Sequence, residues 1–257
     1  MITTSDGVRL HVRDEGAGRP VVLLPGYGAA ATGFHLQTTV LLADGHRVVG
    51  VDRRSHGRSD RPAFGQRMSR HGADVADILD ALELDDVLLV GSSMGANVAL
   101  AYVDLFGTSR LRGLVLIDQT PKMVNEQGWE LGFHGLTRES LDGWIAAFPA
   151  GLNPFHTVPP VEVLAAVADG PEFSVDETRA LLRDHAEADW RDVVARADLP
   201  LLAVAGRHSP TWPCEHAAWM AEAAPHGEVR VFEDSGHVPF LEEPEAFNAM
   251  LLELARR

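Results

Sequence analysis

The sequence predicts an α/β fold: a mostly parallel central sheet flanked by helices, with a helical cap inserted. Three observations carry this. Short apolar runs rich in β-branched residues recur along the chain, as strands do. Several are continuously apolar rather than alternating, the pattern of strands covered on both faces in a parallel sheet. Stretches with apolar residues near helical spacing fall between them, which is βαβ order.

Taken in order, Val8 to Val12 and Val21 to Leu24 read as strands, with an antiparallel hairpin expected at the N-terminal edge. Phe34 to Leu42 reads as a helix, Val48 to Val51 as a strand, Arg70 to Leu82 as a helix and Val87 to Val90 as a strand. Met94 to Phe106 is the next helix and Leu114 to Ile117 the next strand. The rhythm then breaks: about 80 residues pass without a clear strand, too many for a simple loop. Strand Leu201 to Val204, helix His216 to Ala223, strand Val229 to Phe232 and helix Pro244 to Ala255 complete the alternation.

The break is read as the cap, residues 121–198, leaving 1–120 and 199–257 as one core. It carries Trp129, Trp144 and Trp190 with Phe133, Phe148, Phe155 and Phe173, punctuated by Pro149, Pro154, Pro159 and Pro160. Each of these aromatics has two readings, packing within the cap or lining a pocket under it.

Composition excludes several functions. The chain has 257 residues with 22 Lys and Arg against 37 Asp and Glu, a net charge of −15 that repels phosphate backbones and anionic lipid. No nucleic-acid or membrane role is therefore expected, and the length is ample for a large core. The longest apolar stretch, Val87 to Val103, is interrupted by Ser92, Ser93, Asn97 and the turn residues Gly91 and Gly95, so it is no membrane span. The N-terminus has neither a basic flank nor an apolar run, which predicts no signal peptide and a cytoplasmic protein. Cys214 stands alone and reads as structural. No metal cluster, no G-x-G-x-x-G loop after a strand and no paired cysteines occur, so no metal and no cofactor are predicted. Oligomeric state is not legible.

The sharpest local signal is Gly91-Ser92-Ser93-Met94-Gly95, between a strand and a helix, matching G-x-S-x-G. Small flanking residues are needed because a side chain at Gly91 or Gly95 would collide with neighbouring backbone in so tight a reversal. The turn lifts the Ser93 hydroxyl into the open, and the following helix N-terminus offers N–H groups to a developing oxyanion.

With these residues the chain resembles the α/β-hydrolase family outside the cap. Pro25-Gly26-Tyr27-Gly28 follows a strand where that family usually has His-Gly-x, so Tyr27 and Met94 are implied as the oxyanion-hole N–H donors. Asp52-Arg53-Arg54-Ser55-His56-Gly57-Arg58-Ser59 is similar to the family's D-x-R-G-x-G-x-S loop, with Ser55 replacing glycine, and is read as structural. A serine hydroxyl needs a base. Asp234-Ser235-Gly236-His237-Val238-Pro239, after the last strand, resembles the catalytic histidine loop and makes His237 that base. His35, His134, His156 and His208 are further candidates for the pocket, and Trp129, Trp144 and Phe148 join His35 and His134 as candidate lining.

The third member departs from the pattern. Family members usually carry the acid in G-x-x-D-x-x-x-P, and here Gly206-Arg207-His208-Ser209-Pro210-Thr211-Trp212-Pro213 puts Ser209 in its place. A neutral hydroxyl cannot stabilise an imidazolium as a carboxylate does. Asp118, ending the Leu114 to Ile117 strand, is the replacement, since some branches of the family place their acid there. The competing reading has Asp118 capping a cap helix or pairing with a cation. Asp234 is a weaker substitute because it lies beside His237.

The resemblance implies a serine hydrolase of a small carboxylic ester or lactone, with Ser93 as nucleophile, His237 as base and Asp118 as acid, and the aromatic content of the cap predicts an apolar or aromatic acyl group. Two other chemistries share the scaffold. Cofactor-free dioxygenases of 3-hydroxy-4-oxoquinolines are similar in placing an Asp after the same strand. Non-catalytic small-ligand sensors can also keep the three residues.

Overall fold

The computed structural model describes residues 1–167 and 171–257. A short antiparallel pair, β1 (Ile2–Thr3) and β2 (Arg9–Leu10), precedes a seven-stranded sheet. The sheet comprises β3 (Val12–Glu15), β4 (Pro20–Leu24), β5 (Arg47–Val51), β6 (Val87–Ser92), β7 (Leu111–Ile117), β8 (Pro200–Gly206) and β9 (His226–Phe232). Its order is β3-β5-β4-β6-β7-β8-β9, parallel throughout except for β3 against β5. The Val8 to Val12 run is therefore two strands. His11, between them, donates its N–H to Ser59 Oγ at 2.8 Å, and the halves pair with different partners.

Continuous apolarity in the central strands has the expected cause. Val22, Leu24, Leu89, Leu114 and Leu116 bury on one face with α2 (Met68–Ala81), α3 (Met94–Phe106) and α8 (Glu215–Ala223). Their neighbours Val21, Leu23, Leu88, Val90, Val115 and Ile117 bury on the other with α1 (His35–Ala43), α9 (Pro239–Glu242) and α10 (Pro244–Arg256). Fully burying such a side chain stabilises by about 1.5–3 kcal/mol, so neither face tolerates polar alternation.

Between β7 and β8 lie α4 (Leu141–Ala147), α5 (Val161–Val167), α6 (Val175–Glu187) and α7 (Arg191–Arg196), with only isolated β-bridges among the described residues. Two contacts pin α6 to the core. Tyr27 Oη and Thr178 Oγ1 lie 2.7 Å apart, and Met68 donates its N–H to Asp184 Oδ2 at 2.7 Å. No helix among the described residues is long and apolar enough to cross a membrane.

Candidate active site

Three strand ends converge at the C-terminal edge of the sheet. β6 runs directly into α3, and the reversal puts Ser93 at φ 52°, a left-handed conformation costing about 1–3 kcal/mol for a non-glycine residue. The surroundings fix it: Ser93 donates its N–H to Ile117 O at 2.8 Å, and Ala96 donates to Ser93 O at 2.8 Å. The flanking glycines are sterically required. A Cβ on Gly91 would lie 2.4 Å from Gly95 O, and one on Gly95 2.1 Å from Leu24 O.

Asp118 follows β7 and is wholly buried, also at positive φ. His237 follows β9 in a loop whose N–H at 237 donates to Pro154 O at 2.8 Å. The imidazole spans the gap, with Nε2 2.9 Å from Ser93 Oγ and Nδ1 2.6 Å from Asp118 Oδ2. Asp118 accepts further bonds from Gly206 N–H at 3.0 Å and Ser209 Oγ at 2.7 Å. Its ionic partner among the described residues is His237, and it caps no helix. Ser209 thus supports a carboxylate that reaches the same histidine from the neighbouring strand. Asp234 is exposed.

Residues outside the motifs hold this arrangement. Glu242 accepts backbone N–H groups of Gly236 at 3.0 Å, Val238 at 3.2 Å, His156 at 2.7 Å and Thr157 at 2.8 Å, tying the His237 loop to the 154–157 segment. Arg53 is buried, donating from Nε to Pro25 O at 3.0 Å and from Nη2 to Gly26 O at 2.7 Å. It braces the turn carrying Tyr27, and burial pushes its guanidinium down to about 9, still cationic at neutral pH. The Asp52 loop is structural as expected: Asp52 accepts from Ala31 N–H at 2.7 Å and Arg58 N–H at 2.9 Å. Ser55 stands there at φ 63°, which explains why glycine suits that position.

Two cavities flank Ser93. The larger, about 420 Å³, is lined by Gly26, Gly28, Phe155, Phe173, Val238 and Leu241. The smaller, about 40 Å³, lies between Tyr27, Met94, Phe133, Trp144, Phe148 and Trp212 and also touches His185 and His237. Of the candidate lining residues, Trp144 and Phe148 reach this inner space. Three do not. His35 lines a separate cavity near Arg13 and Thr39, its Nδ1 3.1 Å from Thr32 O. Trp129 is buried against Trp219, edge to face at 5.0 Å, with Arg191 over its ring, so it packs rather than binds. His134 is exposed and touches neither cavity. His156 and His208 stack on each other at 3.9 Å, outside both cavities. Among the described residues, no group of three or more His, Cys, Asp or Glu is arranged to hold a metal ion.

Burial also sets an acid response. It lowers the pKa values of His56, His71 and His216, and drives that of His185 down to about 3, with Arg53 adding to the effect at His56, His71 and His185. Unfolded imidazoles titrate near about 6.5, so below that the unfolded chain binds more protons and stability falls with falling pH. Thermal unfolding is expected to show a flat Tm above about pH 6.5 and a steady decline below it. A Tm held constant down to about pH 4.5 would contradict this account.

Known proteins share this fold. The chain is 29% identical to a non-heme chloroperoxidase of Streptomyces lividans, over 98% of this chain and 97% of that one. It is 27% identical to 3-oxoadipate enol-lactonase 1 of Acinetobacter baylyi, over 96% and 93%. The solved structure of an esterase from Exiguobacterium antarcticum superposes with a TM-score of 0.89 at 29% identity, covering 100% of this chain and 98% of that one. The profile of the alpha/beta hydrolase family matches residues 21–250, and the chain belongs to that family.

Proposed function

We propose that the protein hydrolyses a small carboxylic ester or lactone through an acyl-enzyme. The observation that carries this reading is the unbroken relay from Ser93 Oγ through the His237 ring to Asp118, at 2.9 and 2.6 Å. His237 Nε2 takes the Ser93 proton as Oγ attacks the carbonyl carbon, and Asp118 accepts the Nδ1–H and stabilises the imidazolium. The tetrahedral oxyanion is held by the Tyr27 and Met94 backbone N–H groups, each worth about 3 kcal/mol to the transition state. His237 then protonates the departing alcohol, and a water activated by the same nitrogen releases the acid. The esterase and lactonase among the relatives support the same bond type.

The two cavities divide the substrate. An alcohol must leave and water must enter while the acyl group stays attached to Ser93, so the larger cavity takes the leaving group and the inner one the acyl chain. Its volume restricts that chain to a few non-hydrogen atoms. The apolar or aromatic part of the ester therefore belongs to the leaving group rather than, as the composition predicts, to the acyl side. Residues 121–198 act as a cap supplying most of the inner wall.

The test needs no knowledge of the substrate. Intact-protein mass after exposure to a fluorophosphonate probe is expected to show one adduct, mapping to Ser93, because only an activated serine displaces fluoride. A folded, unlabelled protein would remove the acyl-enzyme reading and make oxygen uptake with a 3-hydroxy-4-oxoquinoline the next assay.

A further inference from the structure

The inner cavity is apolar on most sides, yet His185 stands in its wall, only 3% exposed, and its Nδ1 has no hydrogen-bond partner. The indole Nε1 of Trp212, in the same wall, is likewise unpartnered. A buried polar atom without a partner is destabilising and is retained only where something offsets it. The ring is not free to turn outward on a mobile helix. It lies on the face of α6 that buries Thr178, Leu181 and Leu182, and that helix is fixed at Thr178 by Tyr27 and at Asp184 by the Met68 N–H. The imidazole is neutral, so it offers one N–H and one lone pair.

We infer that His185 is a specificity determinant that recognises a hydroxyl or oxo oxygen on a short acyl chain held in the inner cavity. The inference rests on the acyl-enzyme reading and on the acyl chain occupying that side. A neutral imidazole completes its hydrogen bonding with an uncharged oxygen. None of the lining side chains carries a fixed charge, so a charged substituent would lose its hydration without compensation. A plain alkyl chain would leave the His185 imidazole without a polar partner in the complex as well, which is the arrangement that discriminates most strongly against analogues lacking the polar group.

Two measurements test this independently. The first compares kcat/KM for p-nitrophenyl 3-hydroxybutyrate and p-nitrophenyl butyrate, which differ by the oxygen alone. The wild type is expected to favour the hydroxy ester by at least about tenfold, His185→Leu to abolish the preference, and His185→Gln to restore part of it. The second measures the Tm shift of Ser93→Ala protein with the methyl esters of the same two acids, where no turnover occurs. The hydroxy ester is expected to stabilise more, and the difference to vanish when His185→Leu is added. Ester turnover without any preference would overturn the inference while leaving the hydrolase reading intact. A binding preference without wild-type turnover would overturn the acyl-enzyme reading and the inference that rests on it. Equal shifts by the two methyl esters, the result expected if a buried water satisfies His185, would also overturn it.

Discussion

Ser93→Ala is expected to lower kcat for ester hydrolysis by ~10⁶-fold, and His237→Ala by a similar factor, with the double variant no worse than either alone. The reason is that the two side chains perform one event. Without the base, the hydroxyl 2.9 Å from His237 Nε2 stays protonated, and without the hydroxyl the base has no proton to take. What remains is catalysis by the oxyanion donors and substrate positioning, about 10³–10⁴-fold over water. Both substitutions leave the fold in place, since neither side chain fills the core clusters. Measuring the three variants both on one activated ester and by oxygen uptake with a 3-hydroxy-4-oxoquinoline also separates the competing chemistry. If the His237–Asp118 pair served to deprotonate a quinolone for reaction with oxygen, Ser93→Ala would keep much of the activity while His237→Ala lost it. A split of that kind would end the acyl-enzyme account.

Asp118→Asn is expected to lower kcat by about 10⁴-fold with little change in Tm. Asparagine is nearly isosteric and, with its oxygen at the Oδ1 position, keeps the bond from Gly206 N–H, while its amide nitrogen takes the Oδ2 position beside Ser209 Oγ; it carries no charge to stabilise the imidazolium. It also offers an amide N–H where Nδ1–H now donates at 2.6 Å, which favours the wrong tautomer. Ser209 supplies a second arm to the test. Its hydroxyl lies 2.7 Å from Asp118 Oδ2, so a carboxylate introduced there approaches the same ring nitrogen. Ser209→Asp placed on the Asp118→Asn background is expected to recover part of the lost rate. Retention of activity within about tenfold in Asp118→Asn alone would take Asp118 out of the relay.

The order of elements, the parallel sheet and the Ser93 turn were all legible in the sequence, because each is dictated locally. A strand buried on both faces must be continuously apolar, as Val21 to Leu24 and Leu114 to Ile117 are, and a reversal as tight as that at Ser93 admits only glycine at 91 and 95. His237 and Asp118 were singled out by the family resemblance; Asp118 directly follows β7 and His237 lies in the loop after β9, so both stand at the same edge of the sheet. Their approach to 2.6 Å, and the conversion of Ser209 from a missing acid into a support for Asp118, depend on the spacing of β7, β8 and β9. That spacing has no local signal.

The same limit explains the remaining differences. Arg53 and Glu242 sit in segments whose composition marks them only as loop and helix start, yet they brace the Tyr27 turn and the His237 loop through backbone atoms, which leave no sequence pattern. His35, Trp129 and His134 had the right chemistry for a pocket and the wrong address, whereas His185 was one of twelve histidines with nothing to single it out. The sequence by itself determined which backbone elements form and where the tight turn at Ser93 falls, since periodicity and steric demand act over a few residues. Only the tertiary structure decided which side chains of the β7–β8 segment face Ser93, because that depends on where α6 is tied to the core, a matter of contacts between residues more than a hundred positions apart.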